Sequence, residues 1–216
     1  MPITARYKLY FTDRQFLVSI GTSAALFVVS LFVNWYAGIY ASREASNSVT
    51  DIILSNTRVY DLDGIFIYGP FVLWSFVAYL FLKDPNKIPF TLKSIALFVL
   101  VRSVFITLTH IGPFPTELNV SSSEIIQKFM FGGDLFFSGH TGLPFLMALV
   151  FWQKMYLRII FIVTAILFGV VVLLAHLHYS IDVLSAFFIT YTIFHLSELF
   201  FKKDRTMFFH THAEKP

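Results

Sequence analysis

GDLFFSGHT, residues 133–141, and HLHYSIDV, residues 176–183, each set polar and ionisable side chains at the edge of a long apolar run. They put His140, His178 and Asp182 at the ends of segments suited to cross a bilayer, where an ionisable group is costly unless it is paired or has work to do. Reading outward from these stretches gives first the solvent, then the topology, then the chemistry.

The solvent follows from composition. Of 216 residues, 56% are hydrophobic, 19% aromatic and only 13% charged, and the mean hydropathy is +0.71. One water-soluble core cannot cover that much apolar surface, so lipid must cover the rest. The absence of cysteine excludes disulfides, thiolate metal ligands and a cysteine nucleophile. The net charge of +3 matters through its distribution along the chain, and no nucleic-acid partner is expected.

The apolar runs predict an all-α, polytopic membrane protein: one domain, residues 1–216, with six transmembrane helices in one bundle. The spans fall at about 16–41, 65–82, 90–111, 135–152, 159–177 and 181–201. A polar stretch at 43–64 and a long one at 113–132 lie outside the hydrocarbon, the second as a functional or re-entrant loop. Counting Lys and Arg across alternating sides puts Arg6, Lys8, Arg14, Lys83, Lys87, Lys93, Lys154, Arg158, Lys202, Lys203, Arg205 and Lys215 with the termini. The other side holds Arg43, Arg58 and Lys128, and Arg102 lies within the third span. Both termini are therefore expected in the cytoplasm, with His140, His178 and Asp182 converging on the exoplasmic or periplasmic side.

The spacing of four in His178-Tyr179-Ser180-Ile181-Asp182 brings imidazole and carboxylate together on a helix face or across a turn. A carboxylate on one ring nitrogen fixes the tautomer and raises the basicity of the other. Opposite, Ser138 and Gly139 precede His140 at a helix start, where free backbone N–H groups attract a phosphate, and Gly139 lets the backbone approach it closely. One imidazole attacks phosphorus, the other protonates the leaving oxygen, and Arg102 supplies a fork for the remaining oxygens. His176 is expected to support this cluster, and His195, deeper in the sixth span, to bond across helices. Three histidines and an aspartate would suffice for zinc, yet their spacing fits no common metal motif, so neither metal nor cofactor is expected.

These motifs resemble the two C-terminal motifs of the sphingomyelin synthase and inositol phosphorylceramide synthase group, within the type-2 phosphatidic acid phosphatase superfamily. The resemblance implies a six-span fold and an exoplasmic site that moves a phospho-headgroup from a phospholipid to a lipid alcohol without metal. It implies His178 as the nucleophile forming a phosphohistidine, Asp182 as its partner and His140 as the leaving-group acid. Arg102, Asp134, Ser138, Gly139, Thr141, His176 and Tyr179 are then candidate substrate contacts. The chain departs from the synthases at Gly132, where they usually carry cysteine. It departs from the plain lipid phosphatases at Phe137, in place of proline, and at Val171 and Val172, in place of a Ser-Arg pair; Ser103 follows Arg102 where they have proline. Two alternatives stay open: a hydrolase of the same architecture using water, and a transporter using the same residues as a proton relay. The headgroup, the acceptor and the oligomeric state are left open by the sequence.

Overall fold

Helix boundaries follow the apolar runs and the residues that punctuate them. The computed structural model describes residues 3–116 and 135–209. These form helices α1 (Ile3–Thr12), α2 (Arg14–Glu44), α3 (Asp63–Lys83), α4 (Ile88–Leu108), α5 (Gly139–Val150), α6 (Met155–Leu174), α7 (Ser180–Phe200) and α8 (Lys202–Phe209). Short 3-10 turns occupy Leu54–Asn56 and Pro85–Lys87, and no strand occurs among the described residues. Asp13 starts α2 by accepting a hydrogen bond from the Gln15 N–H at 2.9 Å, the usual work of an N-cap carboxylate.

Among the described residues, five helices, α2, α3, α4, α6 and α7, are long and apolar enough to cross a membrane. The fourth expected span, 135–152, is shorter than its hydropathy suggests, because only Gly139–Val150 is helical. Phe137 has φ 29 and Ser138 is extended, so the chain enters the helix four residues late; beyond Val150 it breaks into turns. At a rise of about 1.5 Å per residue, α5 alone covers roughly 18 Å against a hydrocarbon core of roughly 30 Å.

Hydrogen bonds at the two ends fix the helix directions. At one end the Ser46 N–H donates to the His110 carbonyl (2.8 Å), Tyr60 to Leu174 (2.9 Å) and Ser138 to Asp182 (3.1 Å). This joins the C-termini of α2, α4 and α6 to the N-termini of α3, α5 and α7. At the other end Asn86 Nδ2 donates to the Phe208 carbonyl (3.1 Å) and Arg205 Nη1 to the Val150 carbonyl (3.3 Å), and Lys154 pairs with Asp84 (3.5 Å). Short as it is, α5 is therefore tied to both ends of the bundle.

The interior is built around α4 and α5. Phe90, Phe98, Phe137, Leu146, Met147, Phe161 and Phe168 form one buried cluster. Gly142 lets α5 press against its neighbours, since a Cβ there would stand 2.7 Å from the Phe98 ring and 2.9 Å from Thr190 Oγ1. Phe71 and Phe188, 64% and 69% exposed, look outward as lipid-facing side chains do. Lipid is as apolar as leucine, so association in the membrane relies on such close packing and on interhelical hydrogen bonds averaging about 0.6 kcal/mol each.

His195 does not bond across helices. Its Nδ1 lies 3.2 Å from Glu198 on its own helix, and Glu198 in turn holds Arg205 at 3.1 Å. The His195 side chain is half-exposed, and the carboxylate one turn away on its own helix takes the bond.

Candidate active site

His178 follows the C-terminus of α6, where the Leu177 and His178 N–H groups both fold back onto the Val172 carbonyl (2.9 and 3.3 Å). Before it, His176 takes the left-handed φ of 55, an uncommon conformation for a residue with a side chain. The turn aims the buried His178 ring at the start of α5.

There its Nδ1 lies 2.9 Å from the Leu135 carbonyl oxygen and 3.5 Å from Asp182 Oδ2. A carbonyl can only accept, so Nδ1 carries the proton and, in the neutral ring, the lone pair sits on Nε2. The sequence expectation of Asp182 as orienter needs this refinement, because the peptide oxygen of Leu135 makes the shorter contact. The fully buried Asp182 also accepts from the Tyr179 N–H at 2.9 Å, which caps α7, and its Oδ1 has no hydrogen-bond partner.

Across from it, Ser138 caps α5 by accepting from the Thr141 N–H (3.4 Å). Arg102, buried on α4, donates from Nε to the Phe137 carbonyl (3.2 Å), so it braces the turn that carries Ser138 and Gly139. A Cβ added to Gly139 would meet only this guanidinium, at 3.6 Å. The glycine therefore keeps open the space between the helix start and Arg102.

His140 lies within electrostatic reach of both His178 and Arg102 and beside the backbone of Phe66. The Phe66 ring also stacks on it, with centroids 4.3 Å apart and planes 17° from parallel. The local reason is in the sequence of α3. Pro70 has no N–H to offer the carbonyl four residues before it, and that carbonyl belongs to Phe66, so its oxygen stays outside the helix ladder, close to the imidazole.

Not every candidate joins this cluster. His176 points into the loops: its Nδ1 lies 2.6 Å from Thr116 Oγ1 and its Nε2 3.3 Å from Thr57 Oγ1, with Phe114 edge-on at 5.4 Å. The Tyr179 hydroxyl donates to the Gly112 carbonyl (2.8 Å) and accepts from the Val49 N–H (3.3 Å), so it ties loops together. Thr141 Oγ1 is buried without a hydrogen-bond partner and faces Gly169, 3.4 Å from where a Cβ there would lie. Asp134 falls outside the described residues. Among the described residues, no three His, Asp or Glu side chains are grouped to hold a metal ion.

Asp51 is a further participant that sequence reading left in a polar loop. Its Oδ2 accepts from both the N–H and the hydroxyl of Ser180 (2.7 Å each), and its Oδ1 from Ile53 and Leu54 (2.8 and 3.1 Å). It caps α7 from outside and fastens residues 45–62 beside Asp182. Burial works against its charge, but these hydrogen bonds outweigh it and hold the carboxyl below the ordinary value of 3.8. The Asx-turn pattern of Asp51 and the residues after it was the available signal.

Residues 132–199, which contain both histidines of the cluster, match the family model described as PAP2 superfamily C-terminal. A domain of the type-2 phosphatidic acid phosphatase superfamily is therefore present over that segment. No curated protein and no solved structure matches the chain.

Proposed function

We propose, from the premise that residues 132–199 are a segment of the type-2 phosphatidic acid phosphatase superfamily, that this chain is a membrane-embedded lipid phosphotransferase. It moves a phosphoryl or phospho-headgroup from a phospholipid to a lipid alcohol through a phosphohistidine on His178. The observation that carries this reading is the Nδ1–H of His178 on the Leu135 carbonyl, which leaves Nε2 as the nucleophilic nitrogen.

In the first half-reaction Nε2 of His178 bonds to phosphorus as the bond from phosphorus to the leaving oxygen breaks. His140, carrying a proton once the anionic substrate sits beside it, gives that proton to the leaving oxygen, and the Phe66 ring stacked on it keeps the imidazole in position. In the second half, His140 takes the proton of the acceptor hydroxyl, whose oxygen attacks phosphorus as the phosphorus–nitrogen bond breaks. The first N–H groups of α5 and the Arg102 guanidinium beside Gly139 neutralise the phosphate oxygens.

Support for the transferase branch over a plain phosphatase comes from the departures. Phe137 at φ 29 occupies a conformation closed to proline, whose φ is locked near −65°. Val171 and Val172 are buried among apolar groups, so no charged pair stands there to hold phosphate. The Lys and Arg asymmetry supports six crossings, cytoplasmic termini and an exoplasmic site, with α5 and the irregular residues before it making the short fourth span.

The test is to incubate purified protein with headgroup-labelled phospholipid, with and without diacylglycerol or ceramide. We expect label in a new lipid, an acid-labile adduct on the protein, and neither in His178→Ala. Release of label only into water, unaffected by added lipid alcohol, would turn the reading to a hydrolase.

A further inference from the structure

The opposite end of the bundle holds a second polar site. A cavity of about 670 Å³ opens at the start of α2, against the end of the chain's last helices. Its walls include the cations Arg14, Lys93 and Lys203 and the carboxylates Asp13 and Asp204. We propose that this cavity binds the phosphate group of an anionic lipid, at the membrane boundary remote from His178.

Local pairing leaves the cavity with a surplus of positive charge. Asp204 is buried and already engaged by Lys93 at 2.8 Å and by the Ser19 hydroxyl. Asp13 is occupied in capping α2. Arg14 and Lys203 are exposed, and neither has an ion-pair partner among the described residues. Two cations thus face one space with no carboxylate assigned to them.

Their positions are also the wrong ones for helix stability. Arg14 opens α2 and Lys203 lies in the first turn of α8, where the helix dipole disfavours positive charge. An anion between them reverses the sign of that interaction for both helix ends and both side chains. The volume suits a headgroup. Gln15, Ser19 and Thr22 add polar groups to the wall and Val18 and Met207 apolar ones, and Val18, 58% exposed on α2, continues it onto a face clad in apolar side chains. A lipid phosphate with its chains along α2 fits that mixed lining better than a free anion does.

The experiment uses the full chain in detergent and follows its melting temperature on titration with short-chain phosphatidic acid, short-chain phosphatidylcholine or inorganic phosphate. We expect phosphatidic acid alone to stabilise. The double variant Arg14→Gln, Lys203→Gln should melt at or slightly above wild type without lipid and bind phosphatidic acid at least about tenfold more weakly. A control variant, Lys154→Gln, on the same side but outside the cavity, should bind as wild type does. The proposal is overturned if the double variant binds as tightly as wild type, if Lys154→Gln loses as much, or if inorganic phosphate stabilises as well as the lipid.

Discussion

A neutral imidazole that donates through Nδ1 presents its lone pair at Nε2, and His178 is held in that state by a backbone oxygen. His140 is set beside the backbone of Phe66 and stacked on its ring. The two imidazoles thus take their orientation from segments that must themselves be set correctly. For His140 the setting depends on Pro70. Pro70→Ala restores an N–H that competes for the Phe66 carbonyl, so we expect kcat to fall about tenfold or more while the melting temperature holds or rises. Equal kcat in the variant would show that His140 needs no such acceptor. A proline inside a span was visible in the sequence, but the partner of its freed carbonyl was not, because that depends on which helix packs opposite.

At the scale of elements, the site is completed by loops. Asp51, Thr57, Thr116 and Tyr179 knit residues 45–62 and 111–116 onto the start of α7. Two titrating groups in this clamp respond to acid in the same direction. Burial holds the His176 imidazole below its ordinary 6.5, against the opposing pull of Asp51, and Asp51 is itself held below 3.8. Each folded value lies under the unfolded one, so each contributes stability that is complete above its ordinary pKa and is lost as pH falls below it. We expect amide exchange across 45–62 to quicken as pH drops from 7.5 toward 5, after correction for intrinsic rates. His176→Asn, which tolerates the left-handed φ and does not titrate in this range, should remove most of that pH dependence. The spans were legible because apolar runs and charged breaks mark them. The late start of α5 was not, since Leu135, Phe136 and Phe137 are as apolar as the helix they precede and only tertiary contacts turn them away. Helices α1 and α8 escaped notice for a related reason: each is short and mixed in character, and each gains its partners only when the bundle brings Tyr7 to the Leu82 carbonyl (3.1 Å) and Asp204 to Lys93.

For the whole molecule, the alternation of helix ends predicts which loops share a compartment. Because the chain has no cysteine, single cysteines can be introduced without background. Asn47→Cys and Thr211→Cys are expected to react with a membrane-impermeant maleimide from opposite faces of sealed vesicles, Asn47 from the exoplasmic one. Labelling of both from one face would remove the six-crossing topology. The pairing of His178 with Asp182 was foreseeable from a spacing of four, and the cap at Ser138 from its place before a helix. The bracing of the Phe137 carbonyl by Arg102 was hidden, since 35 residues separate donor from acceptor.

The Leu135 oxygen that steadies His178 belongs to the main chain, and no codon change can delete it. A saturation screen of this protein would register the proposed nucleophile, His178, sharply, yet it would score position 135 only for side-chain bulk and miss the oxygen that orients the ring. Such a map would understate how much of the chemistry is written in the course of the backbone.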